Sequence, residues 1–222
     1  MTRLSNRDSV TVPMSTPIKN PNPQGKGVVP ILRDWSMMQP TVSGPKDAGE
    51  FLRDYAISSL ILTARFGFKP VVGNTYYLYT GEKGWTLSLI SPSEWGQSSP
   101  GEFLASCRLR IDMTWEMSID ELAEDSDALA RAREFIHGFV DALAEQDSIS
   151  THLPFYESHL PYYQRMLGTA LASSLKKSLP ASGDSMKALM AEQSSPRTDS
   201  GYLLSADASG ASVLQGRPSQ IA

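Results

Sequence analysis

Three histidines, one cysteine and a run of carboxylates have the most direct chemical reach in this chain, and their spacing decides what they can do. His152 and His159 head two echoing segments, His-Leu-Pro-Phe-Tyr and His-Leu-Pro-Tyr-Tyr. On a continuous helix they would share a face with Glu157 and ligate a metal ion. Pro154 and Pro161 break such a helix and no third histidine lies nearby, so no metal site is expected. His137 falls beside the apolar stripe of a helix, where a structural or surface role is expected. Cys107 sits mid-strand on the apolar parity and reads as a small buried residue rather than a nucleophile. Glu121, Glu124, Asp125 and Asp127 cluster where a solvated helix N-terminus is expected, and they receive no acid–base role. The phosphate-cradling G-x-x-x-x-G-K-S/T and G-x-G-x-x-G patterns and the nucleophile elbow G-x-S-x-G do not occur. The pattern leans away from an enzyme and implies no cofactor.

Aromatic residues give the denser signal. Tyr76, Tyr77, Tyr79, Trp85, Trp95 and Trp115 fall within 40 residues. Tyrosine and tryptophan on a rigid sheet offer large contact area with few torsions to freeze. The competing reading makes all six core residues and Glu94 a helix cap. The candidate binding set is Asn74, Tyr77, Tyr79, Glu94, Trp95 and Arg108. The leading function is a non-enzymatic protein-interaction module that grips a protein partner with an aromatic sheet face. The alternative is a small-ligand binder or enzyme, with Asn74, Tyr77, Glu94, Trp95 and Arg108 lining one pocket around the hairpin and the Glu94-Trp95-Gly96 turn. Stacking of single-stranded RNA comes third.

These residues need elements to hold them. Helical spacing of Phe51, Tyr55, Leu62 and Phe66 predicts a helix from about 46 to 65, started by Pro45, Asp47 and Glu50 and ended by Gly67 and Pro70. Residues 74–80 and 85–90 read as strands joined by Gly81-Glu82-Lys83-Gly84. A hairpin alone is marginal, so 103–111 supplies a third strand. Between them, Ser91 to Gly96 reads as a capped helical turn. Ser118-Ile119-Asp120-Glu121 fits a capping box opening a helix over 118–146, with Asp127 as the alternative start. A third helix spans 162–179. Its stripe of Leu160, Leu167, Leu171 and Leu175 suits the domain's own core, a homodimer or a membrane surface.

The expected fold is α+β: a three-stranded antiparallel meander packed against two or three helices, with disordered termini. Its divisions are a mostly irregular segment 1–45, an α+β domain 46–146, a proline-punctuated segment and helix 147–179, and a disordered tail 180–222. The short apolar run Val28-Val29-Pro30-Ile31-Leu32 and Trp35 are expected to dock the irregular segment on the body. Among 222 residues, 41% are hydrophobic and the net charge is −4, which disfavours DNA and other phosphate backbones. A single cysteine allows no internal disulfide, and no apolar run reaches signal-peptide or membrane-spanning length. A soluble, cytoplasmic protein is the expectation.

At the hairpin the residues become specific. Gly73-Asn74-Thr75-Tyr76-Tyr77-Leu78-Tyr79, Leu89-Ile90-Ser91-Pro92-Ser93-Glu94-Trp95-Gly96, Phe103-Leu104 and Asp112-Met113-Thr114-Trp115 occur in that order. They resemble the G-N-x-Y-Y-L-Y, I-S-P-x-E-W-G, F-L and D-M-S/T-W signature of a family of small bacterial and eukaryotic proteins of unknown function. Asn22-Pro23-Gln24-Gly25-Lys26-Gly27 is similar to a further segment of its bacterial members. The matching core runs from Val72 to Trp115 and leaves out the C-terminal third. The resemblance brings no mechanism with it.

Overall fold

The computed structural model describes residues 28–95, 98–120, 123, 125–153 and 160–193. In chain order it contains α1 (Val28–Met37), α2 (Ala48–Thr63), β1 (Thr75–Gly81), β2 (Gly84–Ser88), α3 (Pro92–Trp95), β3 (Glu102–Leu109), β4 (Trp115–Ile119), α4 (Asp127–Ala144), α5 (Tyr162–Lys177) and α6 (Met186–Gln193). The class is α+β, with an antiparallel sheet of four strands ordered β2-β1-β3-β4.

Asp47 starts α2 by accepting the Glu50 N–H at 2.8 Å, so it is the cap, and Pro45 lies outside the helix. Phe51, Leu52, Tyr55, Leu60 and Ile61 are buried along it. The helix ends at Thr63, before Gly67 and Pro70, because the chain is captured by its neighbours. Arg65 bridges Thr86 in parallel, and Gln164 Nε2 donates to the Leu62 and Ala64 carbonyls at 3.3 and 2.6 Å.

The β1–β2 hairpin forms as expected, with Gly81 opposite Gly84 and Gly84 at φ +88°. The three-strand meander does not. β3 pairs with β1 rather than β2, which makes β1 central. Two facts favour this order. Tyr76, Leu78 and Tyr79 of β1 are all buried, which takes cover on both of its faces. Gly101 also lets β3 begin against the end of β1, where a Cβ would meet the Thr80 carbonyl oxygen at 2.1 Å. A bulge sets Leu78 opposite Ala105 but Tyr79 opposite Phe103, leaving Leu104 as the extra residue.

A fourth strand replaces the expected capping box. Trp115-Glu116-Met117-Ser118-Ile119 alternates apolar and polar, and Ser118 and Ile119 pair with Ser106 and Ala105. The α4 cap is Ser126, whose Oγ accepts the Leu129 N–H at 3.1 Å. β3 stops at Leu109, and Ile111 is exposed in the following turn.

α2, α4 and α5 pack on one side of the sheet. Tyr76, Leu78, Cys107, Leu109 and Trp115 meet Leu60 and Ile61 of α2, Leu129 of α4, and Met166 and Leu167 of α5. A second cluster joins Phe51 and Tyr55 to Leu143, Ile149, Leu171, Leu175, Met186 and Leu189. Leu167, Leu171 and Leu175 are therefore part of the domain's own core, while Leu160 is half-buried. The expected disordered tail starts too early at 180. Asp184 accepts the Ser148 hydroxyl (2.6 Å) and the Ser150 N–H (2.8 Å), and α6 follows with Met186 and Leu189 fully buried. The rest of that tail, 194–222, lies outside the described residues.

At the other end, 28–37 is helical rather than irregular, with Pro30 tolerated in the first turn. Asp34 pairs with Lys69 at 2.7 Å and Met38 is buried, whereas Trp35 stays 42% exposed. The segment docks through Asp34 and Met38, and Trp35 lines a cleft that it shares with Met166 and Thr169 of α5. Residues 1–27, including Asn22 to Gly27, lie outside the described residues.

Candidate functional site

Alternation along β1 turns Tyr76 and Leu78 toward the helices and Thr75, Tyr77 and Tyr79 toward the back of the sheet. Register then assembles that back face. Ser88 and Ser106 flank Tyr77, and Ser118 lies beyond Ser106. In the next row Arg108 stands between Thr75 and Glu116. Only the short α3 covers this face among the described elements that pack on the sheet.

The six residues selected from sequence split along β1. At one end Arg108 donates from Nε to the Gly73 carbonyl at 3.1 Å, beside exposed Asn74. Gly73 adopts φ +84°, the left-handed turn that feeds the strand. At the other end Tyr79 is 1% exposed, with its hydroxyl donating to the Ile90 carbonyl at 3.0 Å. Its ring meets Trp95 edge-on at 6.5 Å and Phe103 at 5.5 Å, and burial pushes its phenol above the ordinary value. Tyr79 thus anchors α3 and is no exposed platform. Glu94 accepts the Ser91 hydroxyl (2.6 Å) and N–H (2.9 Å), which hold its carboxyl below the usual range and make it a cap. Four residues of strand, roughly 13 Å, separate the two groups. Tyr77 lies between them, half-buried, its ring 6.3 Å from Phe103. Ser106, Glu116 and Ser118 also belong to this face. Strand parity was the signal for Ser106, and the unrecognised β4 hid the other two.

A second polar centre lies on the helix side. Asp54, 2% exposed, accepts from Lys46 Nζ and Arg110 Nη2. Lys46 also reaches Asp112 at 2.8 Å, and Asp112 takes the Thr114 N–H (3.0 Å) and hydroxyl (2.6 Å). The Asp112-Met113-Thr114-Trp115 motif is thus a tight turn, with Met113 at φ 65°. A cleft of ≈ 380 Å³ opens beside it, lined by Ser43, Lys46, Arg110 and Asp112 among others. Both cations are already matched by carboxylates, so the cluster ties 41–47 to α2 and the β3–β4 turn. Its partners are scattered through the sequence, which kept it from being read there.

Burial opposes charge on Asp112, but hydrogen bonds from Lys46 and Thr114 outweigh it and hold the carboxyl below its ordinary 3.8. Likewise, burial would lower Lys46, and its bonds to Asp112 and Asp54 outweigh that and raise it above 10.5. Stability from Asp112 is therefore present above its unfolded value and lost as pH falls through the lower folded one. That from Lys46 is present below its unfolded value and lost as pH rises through the higher folded one. Asp112→Asn is expected to lower the Tm near neutrality, and to lose less Tm than the wild type on further acidification to about pH 3. Thermal unfolding across pH checks this.

Of the remaining reactive residues, Cys107 is fully buried, and burial pushes its thiol far up. His152 is exposed with Nδ1 2.8 Å from the Thr151 hydroxyl, and Glu157 and His159 lie outside the described residues. Among the described residues no group of three or more histidines, cysteines or acids is placed to hold a metal, and no helix is long and apolar enough to cross a membrane.

Both centres lie within one stretch that is recognisable by sequence. Residues 45–138 match the family model DUF2452, protein of unknown function. The DUF2452 segment contains all four motif pieces and extends well beyond the Val72–Trp115 core that they define. It runs from α2 through the sheet into α4. α5 and α6 fall outside the match, yet α5 contributes to both hydrophobic clusters of the DUF2452 segment and α6 to the second. No solved structure matches the chain.

Proposed function

We propose that the DUF2452 segment is a non-enzymatic protein-interaction module whose contact surface is the back of the sheet, centred on Tyr77. The observation that carries this reading is Tyr77, held half-buried between Ser88 and Ser106 on a face that no core helix covers. A tyrosine on a strand loses little conformational freedom when a partner closes over it, and its hydroxyl remains a polar handle. Arg108 and Glu116 form a charged rim on one side. On the other, Leu89 and Ile90 are 58% and 39% exposed beside the α3 turn. Tyr79, Trp95 and Glu94 serve this surface by fixing α3.

The small-ligand reading requires Asn74 and Arg108 to converge with Glu94 and Trp95, and these sit at opposite ends of β1. RNA stacking meets Glu116 directly beside Arg108 and a chain of net charge −4. Cross-linking from Ser106, the neighbour of Tyr77, tests the proposal. Partner adducts should form from that position and be lost in Tyr77→Ala.

A further inference from the structure

The two edges of the sheet end differently. On the β2 edge the Arg65 N–H donates to the Trp85 carbonyl (3.0 Å) and the Arg65 carbonyl accepts from Leu87 (3.1 Å), so a neighbouring segment occupies it. On the β4 edge, the Arg110 N–H bonds the Thr114 carbonyl (2.9 Å) and the Asp120 N–H bonds the Leu104 carbonyl (3.3 Å). These bonds fix the ladder phase. Glu116 and Ser118 bond toward β3, while Trp115, Met117 and Ile119 turn their backbone groups outward. The outward N–H of Trp115 is taken by Ser58 Oγ at 3.0 Å. Among the described residues, no backbone bond satisfies the outward groups of Met117 or Ile119, and only β3 and α2 pack closely on β4.

We propose that this edge pairs with the β4 of a second copy, antiparallel about Met117, joining two four-stranded sheets into one. The strand is self-complementary in that register. Met117 falls opposite Met117 of the copy, and Trp115 opposite Ile119, all on the helix side, where Met117 and Ile119 already flank the core. The Trp115 N–H stays with Ser58, so that pair contributes only the bond from the Ile119 N–H to the Trp115 carbonyl. Glu116 falls opposite Ser118, so no like charges meet directly. The strand also lacks the lysine, proline or bulge with which edge strands discourage pairing. Two-fold pairing keeps every core helix on one side and makes the back faces continuous. The inference does not depend on what the back face binds.

The test is native mass spectrometry and light scattering of the full chain over a range of concentrations. A dimer is expected. Ser118→Lys should tighten it and Ser118→Glu should loosen it, each by roughly two- to fivefold for each of two symmetric cross-strand pairs. Met117→Pro removes an outward N–H without touching the β3 ladder and should give a monomer with an unchanged circular dichroism spectrum. A chain that stays monomeric up to high micromolar concentration overturns the proposal and leaves the edge to a strand of another protein. A dimer indifferent to both Ser118 substitutions overturns it too, whether or not the proline variant folds.

Discussion

Replacing Asp54 with alanine is expected to cost about 3–5 kcal/mol of folding stability, the range for removing one partner of a buried ion pair. Asp54 projects from α2 and is nearly sealed from solvent, and it accepts hydrogen bonds from both Lys46 and Arg110. Without it Lys46 retains Asp112 at 2.8 Å and a long contact with Glu50 at 3.8 Å. Arg110 retains Thr114 Oγ1 at 3.1 Å, a neutral partner. Two cations then face each other across a site with less negative charge, and the 41–47 segment loses its clamp. Urea unfolding should show a lower midpoint with an unchanged slope. Arg110→Ala should cost less in the Asp54→Ala background than in the wild type, because the two share one interaction. A loss below about 1 kcal/mol would reduce the cluster to the rank of a surface ion pair.

Trp115→Ala is expected to cost a similar amount, about 3–5 kcal/mol, for a different reason. Trp115 is 1% exposed and is the largest fully buried side chain described. Its ring meets Tyr76 edge-on at 5.7 Å, in the core shared by α2, β1 and β3. Truncation removes that apolar area and leaves a cavity, while the Trp115 N–H can keep its bond to Ser58. Trp115→Phe should recover much of the loss, since a ring still fills part of the volume. Thermal unfolding of both variants checks this. An alanine variant within 1 kcal/mol of the wild type, on the order of a surface substitution, would contradict the packing described.

What the sequence discloses follows the range of the interaction. The α2 stripe and the Gly81–Gly84 hairpin are local patterns, and they appear where expected. β4 was hidden because Ser118 and Glu121 mimic a capping box, a local signal overridden by pairing with β3. Strand order depended on Gly101 closing against Thr80, a contact that spacing does not display. Likewise α1 forms despite its proline, because Asp34 and Met38 bind it to the body. Parity placed Tyr77 and Tyr79 on one face correctly, but only α3 folding back decided that Tyr79 is sealed while Tyr77 is not. The Lys46–Asp54–Arg110–Asp112 cluster had no sequence signature, since three separate segments supply it.

The most direct measurement on the proposed function is site-specific photo-cross-linking in extract of the protein's own source. A photoreactive residue replaces Ser106, next to Tyr77 on the back face, and a control replaces exposed Arg133 on α4. The back-face account predicts a discrete protein adduct from position 106, lost when Tyr77 is alanine, and none from position 133. Equal adducts from both positions, or an adduct from 133 alone, would contradict it.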